Sequence, residues 1–320
     1  MGLVLLAALL VQDSWSWAGA NCHDLWNRPP AEMRETLALM RASNLRTVRL
    51  WINAQGNVKD VEDPVGVWHD EILEKIDFTL AECAKAGVRV ILVFHDHWAL
   101  GRWQTDAYAR KWKEPLLWPP GKHGKDDPGG FSATTFYTNP EERAAFRARI
   151  AHVLSFRGPY TGMRWSELGD VILAWEPQNE PNWRARKPWT EETAAEIKRH
   201  APKARVAAGG VNVFLRGGAD LVKASPSVDY WGYHWYGWEP LDRVAQALDE
   251  TGRPWFIEEF GAVGGDPALR TAYKTVLAVA REHRVPWMFW RLGRGPGPRS
   301  FDLWKGSPLF DEVVVPAAGK

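Results

Sequence analysis

Short apolar runs alternate along this chain with longer stretches in which apolar residues recur at helical spacing. The runs are rich in β-branched and aromatic residues, which is typical of buried strands. The pattern predicts eight strands: Trp15 to Asn21, Thr47 to Ile52, Arg89 to Phe94, Val171 to Trp175, Ala204 to Ala208, Val228 to Tyr233, Trp255 to Glu258 and Trp287 to Trp290. Helices are predicted at Ala31 to Ala42, Asp70 to Ala86, Glu141 to Phe156, Thr190 to His200, Leu241 to Glu250 and Pro267 to His283, with a weaker segment at Gly218 to Ala224.

The order of these elements indicates an α/β fold in which helices surround a parallel sheet. Eight strands with seven crossovers match a closed (β/α)8 TIM barrel, and 320 residues suit a single catalytic domain of this type. An open doubly wound sheet is the alternative, and it would be expected to carry a glycine-rich phosphate loop after its first strand. Trp17 to Asp24 contains no G-x-G-x-x-G motif and no P-loop motif occurs anywhere, so the barrel is favoured.

A long connection interrupts the alternation at residues 99–140, after the third predicted strand. Connections of this length are usually functional or disordered. Because it follows a strand, we expect it to lie at the C-terminal face of the barrel and to form one wall of a cleft there.

The N-terminal segment, residues 1–13, has a different character. Leu3 to Val11 is an apolar run too short to span a bilayer, and it resembles the apolar part of a signal peptide. Ala18-Gly19-Ala20 resembles a cleavage site, but no Lys or Arg precedes the run, and cleavage there would remove most of the first strand. The run either packs on the fold or belongs to a longer precursor. A signal-like segment leads us to expect a secreted protein.

The composition excludes several classes of partner. Apolar residues make up 45% and charged residues 25% of the chain, as in ordinary globular proteins. A net charge of +1, without a basic stripe or acidic tail, argues against nucleic acid or an anionic membrane as a partner. Cys22 and Cys83 do not make a disulfide framework and are expected to be free buried thiols. No feature calls for a cofactor or a metal, and we expect a monomer.

Twenty tryptophans are an unusual number for a chain of this length. A large core takes up aromatic residues readily, so many of them are expected to be structural. Those in predicted loops or at strand ends are candidates for stacking against sugar rings: Trp98, Trp103, Trp183 and Trp238.

Two strand ends carry carboxylates that suggest a reaction. Barrel enzymes place their reactive groups at the C-terminal ends of strands. Glu180 follows the fourth predicted strand and Glu259 ends the seventh, so the two would face each other across the barrel mouth. Glycoside hydrolysis with retention needs such a pair, with carboxyl groups about 5 Å apart. Either carboxylate alone is better explained as a salt-bridge or capping group, but the pair favours catalysis.

Six motifs, in this order, resemble glycoside hydrolase family 5 of clan A, and most of all its endo-β-1,4-mannanase branch. The resemblance covers roughly Trp15 to Leu292. The motifs are Arg49-x-Trp51, Phe136 to Pro140, Thr161-Gly162, Ile172 to Pro181, His234-x-Tyr236 and Glu258 to Gly261. The resemblance implies a retaining endo-acting hydrolase of β-1,4-mannan or glucomannan, with a polysaccharide or oligosaccharide as partner.

The resemblance also implies roles for individual residues. Glu180 would be the general acid/base and Glu259 the nucleophile, with Arg49 and Tyr236 keeping Glu259 ionised and oriented. Arginine next to a carboxylate lowers its pKa, which suits a nucleophile, whereas an ionised Glu259 would raise the pKa of Glu180.

The remaining residues of the implied site would bind the sugar. Asn179 would hold the hydroxyl at C2, His234 would sit beside Glu180, and Trp290 would form the floor under the attacked sugar. Trp98 is a further substrate-binding candidate.

Glu258 competes with Glu259 for the role of nucleophile. Adjacent strand residues face opposite sides, so only one of the two is expected to point into the barrel mouth. The family resemblance places the nucleophile directly before the aromatic residue and glycine, which selects Glu259. Glu176 is expected to be structural and to pair with a nearby donor.

The chain departs from the mannanase pattern at the third strand. Members of that branch usually read Asn-Asn-Trp there, whereas this chain reads Asp96-His97-Trp98. The sugar preference is therefore less well specified than the mechanism, and β-1,4-glucan is the alternative substrate.

Two alternatives lie outside glycoside hydrolysis. His95-x-His97 suggests a metal-dependent amidohydrolase barrel, but those barrels carry the motif on the first strand and an Asp on the eighth. A non-catalytic carbohydrate-binding barrel would fit the tryptophan content, but it does not explain why both carboxylates are present.

Overall fold

The computed structural model describes residues 17–52, 60–102, 106–113, 116–118, 121–122, 130–131, 134–181, 186–210, 217–261, 266–295 and 301–319. Trp103, Trp183 and the apolar run Leu3 to Val11 lie outside these residues, as does the start of the first predicted strand at Trp15. The interpretations placed on them stay predictions.

Ten strands are present in the described residues. They are β1 (Ala18–Asn21), β2 (Leu45–Trp51), β3 (Arg89–Val93), β4 (Leu116–Trp118), β5 (Gly130–Phe131), β6 (Ile172–Glu176), β7 (Ala207–Ala208), β8 (Tyr230–Trp235), β9 (Trp255–Phe260) and β10 (Trp287–Phe289). Eight of them form one parallel sheet in the order β6-β3-β2-β1-β10-β9-β8-β7, and β4 and β5 form a separate antiparallel pair. An isolated parallel bridge between Trp175 and Val206 joins the two ends of the sheet, so the predicted barrel is confirmed.

Helices connect the strands and pack on the outside of the barrel. They are α1 (Pro30–Ala42), α2 (Asp70–Ala86), α3 (His97–Arg102), α4 (Ala107–Trp112), α5 (Thr134–Thr138), α6 (Pro140–Ser155), α7 (Arg186–His200), α8 (Gly218–Ala224), α9 (Leu241–Asp249), α10 (Asp266–His283) and α11 (Val315–Ala318). Short 3-10 turns lie at Leu25–Asn27 and Trp165–Glu167, and a π-helical turn at Phe310–Val314 leads into α11. None of the helices in the described part of the chain is long and apolar enough to cross a membrane.

Local sequence signals fix where the longer helices begin and end. Asn139 caps α6 by accepting a hydrogen bond from the backbone nitrogen of Glu141, and Pro140 occupies the first helical position, where its missing N–H costs nothing. Gly87 ends α2 with a φ of 66°, a left-handed conformation that glycine adopts without steric cost.

The core has two layers, as expected when both faces of a parallel sheet are covered. One small buried cluster of strand residues fills the barrel interior: Ile91, Leu173, Ala174, Ala207, Phe256 and Met288. A second, much larger cluster lies between the strands and the helices. The barrel interior is therefore packed, which leaves the C-terminal strand ends as the place for a cleft.

The long connection after β3 contains more regular structure than the sequence indicates. Its described parts are α3, α4, α5 and the β4–β5 pair. Strand β8 begins two residues later than predicted. Asp229 precedes it, and its carboxylate accepts hydrogen bonds from the backbone nitrogen of Val206 and from Lys198, so it acts as a turn residue.

Candidate active site

The two predicted glutamates meet at the C-terminal end of the barrel, with His234 between them. His234 Nδ1 lies 2.7 Å from Glu180 Oε1 and 3.4 Å from Glu259 Oε2. One oxygen of each carboxylate and one nitrogen of His234 lie within 4.8 Å of one another. The strand order brings this about, because β6, which leads to Glu180, lies opposite β9, which carries Glu259.

Arg49 organises the buried half of the site. Its guanidinium donates two hydrogen bonds to Glu176, at 2.8 and 2.6 Å, and one to Glu259 Oε1 at 2.5 Å. It also donates to the Asn21 and Asn179 side-chain oxygens, at 3.2 and 2.8 Å. A planar guanidinium presents five donors in a fixed geometry, so this one residue sets the positions of four side chains from three strands and their ends: β1, β6 and β9.

Glu258 also points into this cluster, so Glu258 and Glu259 do not face opposite sides of β9 as regular strand alternation leads one to expect. Glu258 Oε1 lies 3.4 Å from Arg49 Nε, and Glu258 Oε2 lies 3.2 Å from His234 Nε2. The reason is a bulge in β9: Tyr233 pairs with Ile257 but His234 pairs with Glu259, which leaves Glu258 as the extra residue. A bulge breaks the two-residue alternation of a strand.

Two glycines provide the space that these carboxylates occupy. A Cβ at Gly232 would collide with the carboxylate of Glu258, and one at Gly209 would collide with the carboxylates of Glu176 and Glu258. Both carboxyl groups are fully buried. The pair therefore lies beneath Glu180 and Glu259 as a support. Glu176 is expected to be structural and to pair with a nearby donor. It is fully buried and bonded to Arg49.

Burial and the neighbouring charges compete in this cluster, and burial outweighs the charges at Glu259 and Glu176. It raises the pKa of Glu259 to about 7, even though His234 and Arg49 act to lower it. The expectation that Arg49 would give Glu259 a low pKa is therefore wrong in its net direction, since desolvation outweighs the nearby cations. Burial raises the pKa of Glu176 to about 8, while Arg49 and His234 hold the pKa of Glu258 below its usual value against its own burial.

His234 is a cation in this setting. Burial acts to lower its pKa, but Glu259, Glu180 and Glu258 outweigh burial and raise the pKa to about 10. A protonated imidazole has no lone pair for a metal. Glu180, His234 and Glu259 are close enough to hold an ion, but His234 would first have to lose its proton.

Glu180 has a less buried and more strained position than Glu259. Its side chain is 11% exposed, and its backbone φ of 47° is in the left-handed region that non-glycine residues rarely adopt. Gly210 packs against its Cα so closely that a Cβ would not fit. Trp98 Nε1 donates a 2.5 Å hydrogen bond to Glu180 Oε2. The sequence predicts Trp98 as a sugar-binding residue but gives no sign of this bond to Glu180.

Asn179 is held at both ends of its amide. Its oxygen accepts from Arg49, and its nitrogen donates to Asp96 Oδ1 at 2.8 Å. These two bonds determine the orientation of the Asn179 amide group. Asp96, the departure from the family pattern, therefore supports Asn179 from behind.

Aromatic rings form one surface of the site. Trp290 stacks on His23 at a ring-centroid distance of 5.4 Å and on Trp51 at 5.5 Å. Trp290 is half-buried and follows β10. His23 was missed in the sequence because it lies in a short turn after β1, with no motif around it. Tyr236 completes the site with a 2.8 Å hydrogen bond to Glu259 Oε2.

Trp238 is 73% exposed and lines a shallow groove with Thr275 and Val279 on α10. These neighbours lie on the outside of the barrel, so the structure does not bring Trp238 together with the two glutamates.

The His95-x-His97 pair does not form a shared metal site. His95 Nε2 lies 2.7 Å from Asp106 Oδ2 and its Nδ1 lies 2.9 Å from Gln178 Nε2. Both ring nitrogens of His95 are therefore engaged. His97 Nδ1 points to the hydroxyl of Tyr137 instead.

Comparison with known proteins places this geometry in a family. Residues 17–251 match the family model described as GH family 5 beta-mannosidase-like. The tomato (Solanum lycopersicum) protein named mannan endo-1,4-beta-mannosidase 5 is 26% identical over 52% of this chain and 39% of its own length. The Aspergillus flavus protein named "Probable mannan endo-1,4-beta-mannosidase A" is 24% identical over 81% of this chain and 71% of its own length.

The fold has close counterparts among solved structures. The endo-1,4-beta-mannanase from Rhizomucor miehei superposes with a TM-score of 0.78 at 20% identity, over 95% of this chain and 94% of that one. The chain spans about two fifths of the length of the tomato relative, so similarity to the whole of that protein is not implied. The family model covers well over half of the chain, and the chain belongs to glycoside hydrolase family 5, in its beta-mannosidase-like group.

Proposed function

We propose that this chain is a retaining endo-β-1,4-mannanase, in which Glu259 is the nucleophile and Glu180 the general acid/base. The observation that carries the proposal is the pairing of the two carboxylates across His234, with oxygen atoms within 4.8 Å. This spacing is compatible with the carboxyl separation of about 5 to 5.5 Å that double displacement requires.

The two glutamates have surroundings suited to different steps. Glu259 accepts hydrogen bonds from Arg49 and Tyr236, which hold its carboxylate in one orientation. In the first step it attacks the anomeric carbon while Glu180 gives its proton to the leaving oxygen. In the second step Glu180 takes a proton from water, which attacks the glycosyl-enzyme and releases the sugar with its original configuration.

The pKa of Glu259, raised to about 7, bears on the pH dependence of this reaction. The nucleophile must be ionised, so activity should fall as the pH drops through this region. Because the charge on each of Glu180 and Glu259 affects the ionisation of the other, the measured midpoint belongs to the pair.

The proposed substrate is the backbone of β-1,4-mannan or glucomannan, cut internally. Support comes from the relatives, whose names refer to mannan endo-1,4-beta-mannosidase activity. The third strand end, Asp96-His97, departs from the mannanase pattern, which leaves a β-1,4-glucan as the second candidate. The mannan or glucomannan substrate is a proposal, and so is the secretion expected from residues 1–13.

A substrate screen tests the proposal. Initial rates are measured on galactomannan, glucomannan, carboxymethylcellulose, xylan and laminarin, with chromatography of the products. Galactomannan or glucomannan should be cut fastest, and oligosaccharides of mixed length should appear first. A clear preference for carboxymethylcellulose or laminarin would overturn the mannan assignment. Release of single sugars alone would overturn the endo mode.

A further inference from the structure

A line of buried side chains runs from Asp106 to the edge of the cleft. Asp106 Oδ2 lies 2.7 Å from His95 Nε2, and His95 Nδ1 lies 2.9 Å from Gln178 Nε2. Gln178 Oε1 accepts a 2.5 Å hydrogen bond from the Tyr137 hydroxyl, whose oxygen lies 3.0 Å from His97 Nδ1. The first four residues are buried, and His97 is half-buried.

The chemistry of these groups determines which atom donates and which accepts in each hydrogen bond of this line. Asp106 caps α4 by accepting from two backbone nitrogens, and its pKa is low because His95 and these donors outweigh its burial, so it is an ionised acceptor. His95 therefore donates from Nε2 and accepts at Nδ1 from the Gln178 amide. Tyr137 has a single hydrogen, which it gives to Gln178, so its oxygen accepts from His97.

His97 is the end of the line. Burial lowers the pKa of His97 to about 4, and its single proton must lie on Nδ1 to reach Tyr137. Nε2 then carries a lone pair, and no side chain in the described part of the chain bonds to it. The ring lies beside Trp98 and within electrostatic reach of Glu180. A bare acceptor thus stands beside Trp98, whose indole bonds to Glu180.

We propose that His97 Nε2 accepts a hydrogen bond from a sugar hydroxyl in the subsite beside Glu180, and that Tyr137 and Gln178 are positioning residues that keep it an acceptor. The proposal rests on the proposed function of the site. His97 makes this subsite selective for a free hydroxyl, since an acylated or glycosylated oxygen has no hydrogen to donate.

The proton position can be observed without substrate. Proton–nitrogen correlation spectra of the protein with isotope-labelled histidine report which ring nitrogen is protonated, and the signals missing from His97→Gln assign His97. We expect His97 to be protonated on Nδ1 and bare on Nε2. A proton on Nε2 would overturn the proposal whatever the enzyme's activity.

Sugar binding is tested on the Glu259→Ala variant, which should bind mannohexaose without cutting it. The His97 Nε2 signal should shift as it accepts the hydroxyl. If tryptophan fluorescence reports binding while this signal stays in place, the proposal fails and the proposed function stands. If mannohexaose does not bind, the proposed function fails and this inference with it.

Kinetics provide a matched comparison. Tyr137→Phe removes the acceptor for His97 Nδ1–H and should raise KM for mannohexaose by about three- to tenfold, the worth of one hydrogen bond. Tyr108→Phe removes a buried hydroxyl of the same aromatic cluster that bonds to Glu62 instead, and it should leave KM unchanged. Equal changes in KM in the two variants would show a general packing effect and contradict the proposal.

Discussion

The site has two halves that contain the same kind of residue in different surroundings. On the β9 side, Glu259 belongs to a buried cluster in which Arg49 contacts three carboxylates. On the β6 side, Glu180 stands at the rim, partly exposed, between His234 and the Trp98 indole. The first half is fixed by many hydrogen bonds, and the second is the more exposed of the two.

This difference shows how two glutamates can take different roles. A nucleophile needs one orientation, which the paired donors Arg49 and Tyr236 impose on Glu259. A proton carrier needs a partner on the sugar side and access to water, which the position of Glu180 allows. The roles follow from the surroundings and not from the side chain itself.

The largest expected effect separates the two roles directly. Glu259→Ala should lose activity on the order of 10⁴-fold or more on any substrate, because no covalent intermediate can form. Glu180→Ala should lose far less on an aryl mannoside with an acidic phenol than on a polysaccharide, because that leaving group needs no proton.

Added azide distinguishes them further. It should rescue Glu180→Ala with a product of retained configuration, because the anion attacks the glycosyl-enzyme without a general base. In Glu259→Ala any rescued product should be inverted. The opposite pattern would mean that the roles are exchanged, and loss of the reaction in Glu258→Ala but not in Glu259→Ala would move the nucleophile by one residue.

The next effect tests the buried half. Arg49→Gln leaves carboxylates without their cation and should lower the free energy of unfolding by about 3–5 kcal/mol and abolish turnover. Arg149→Gln is the matched control, since Arg149 is equally buried but pairs with Asp60, at 2.8 and 3.1 Å. The control should lose similar stability in urea unfolding yet retain kcat. Loss of kcat in both Arg49→Gln and Arg149→Gln would contradict a specific role of Arg49 in the reaction.

A smaller effect is expected at the glycine that makes room for Glu258. Gly232→Ala places a methyl group against that carboxylate and should cost about 1–3 kcal/mol of stability, with a drop in kcat. Gly169→Ala, where an added methyl group meets open space, is the control and should be nearly neutral. Urea unfolding measures both. A neutral Gly232→Ala would show that the cluster is less tightly packed than described.

The most gradual effect is on stability as a function of pH. Glu176 and Glu259 have folded-state pKa values of about 8 and about 7, above the ordinary value of 4.5, so their contribution is full below 4.5 and lost as the pH rises through those values. His234 contributes fully below 6.5 and loses its contribution as the pH rises towards 10. His23 and His97, whose pKa values burial lowers to about 4, act in the opposite sense below about pH 6.5. The free energy of unfolding should therefore fall from about pH 7 to about pH 9.

Glu176→Gln isolates one part of this slope. The substitution removes one of the three titrating groups. The free energy of unfolding should therefore depend less on pH between about 4.5 and about 8, the ordinary and the raised pKa of Glu176. A stability that rises with pH over this range, measured by urea unfolding at each pH, would contradict the charge distribution of the buried half.

Much of this arrangement could be predicted from the sequence. The regular alternation of strands and helices predicts the barrel. Because its strands are parallel, the last residues of every strand lie at the same end of the barrel. The residues at those strand ends, together with the family resemblance, therefore assign one cleft to Glu180, Glu259, Arg49, His234 and Tyr236.

The features that could not be predicted depend on local geometry. The bulge at Glu258 has no marker in the sequence, since it arises from the pairing of β9 with β8. His95 and His97 suggested a metal because the sequence cannot show that Asp106 and Tyr137 reach their ring nitrogens. The exposure of Trp238 on the outer surface was equally hidden, because a loop residue can point either way.

The central claim is that Glu259 forms the covalent bond to the sugar, and trapping that bond is its most direct test. The protein is incubated with a 2-deoxy-2-fluoro-mannosyl donor that has a good leaving group, which slows breakdown of the glycosyl-enzyme. The protein is then digested and analysed by mass spectrometry. We expect one sugar attached to the peptide that contains Glu259, with the fragment ions placing it on that residue. A sugar on Glu258 or Glu180, or turnover without any covalent species and with inverted product, would contradict the account.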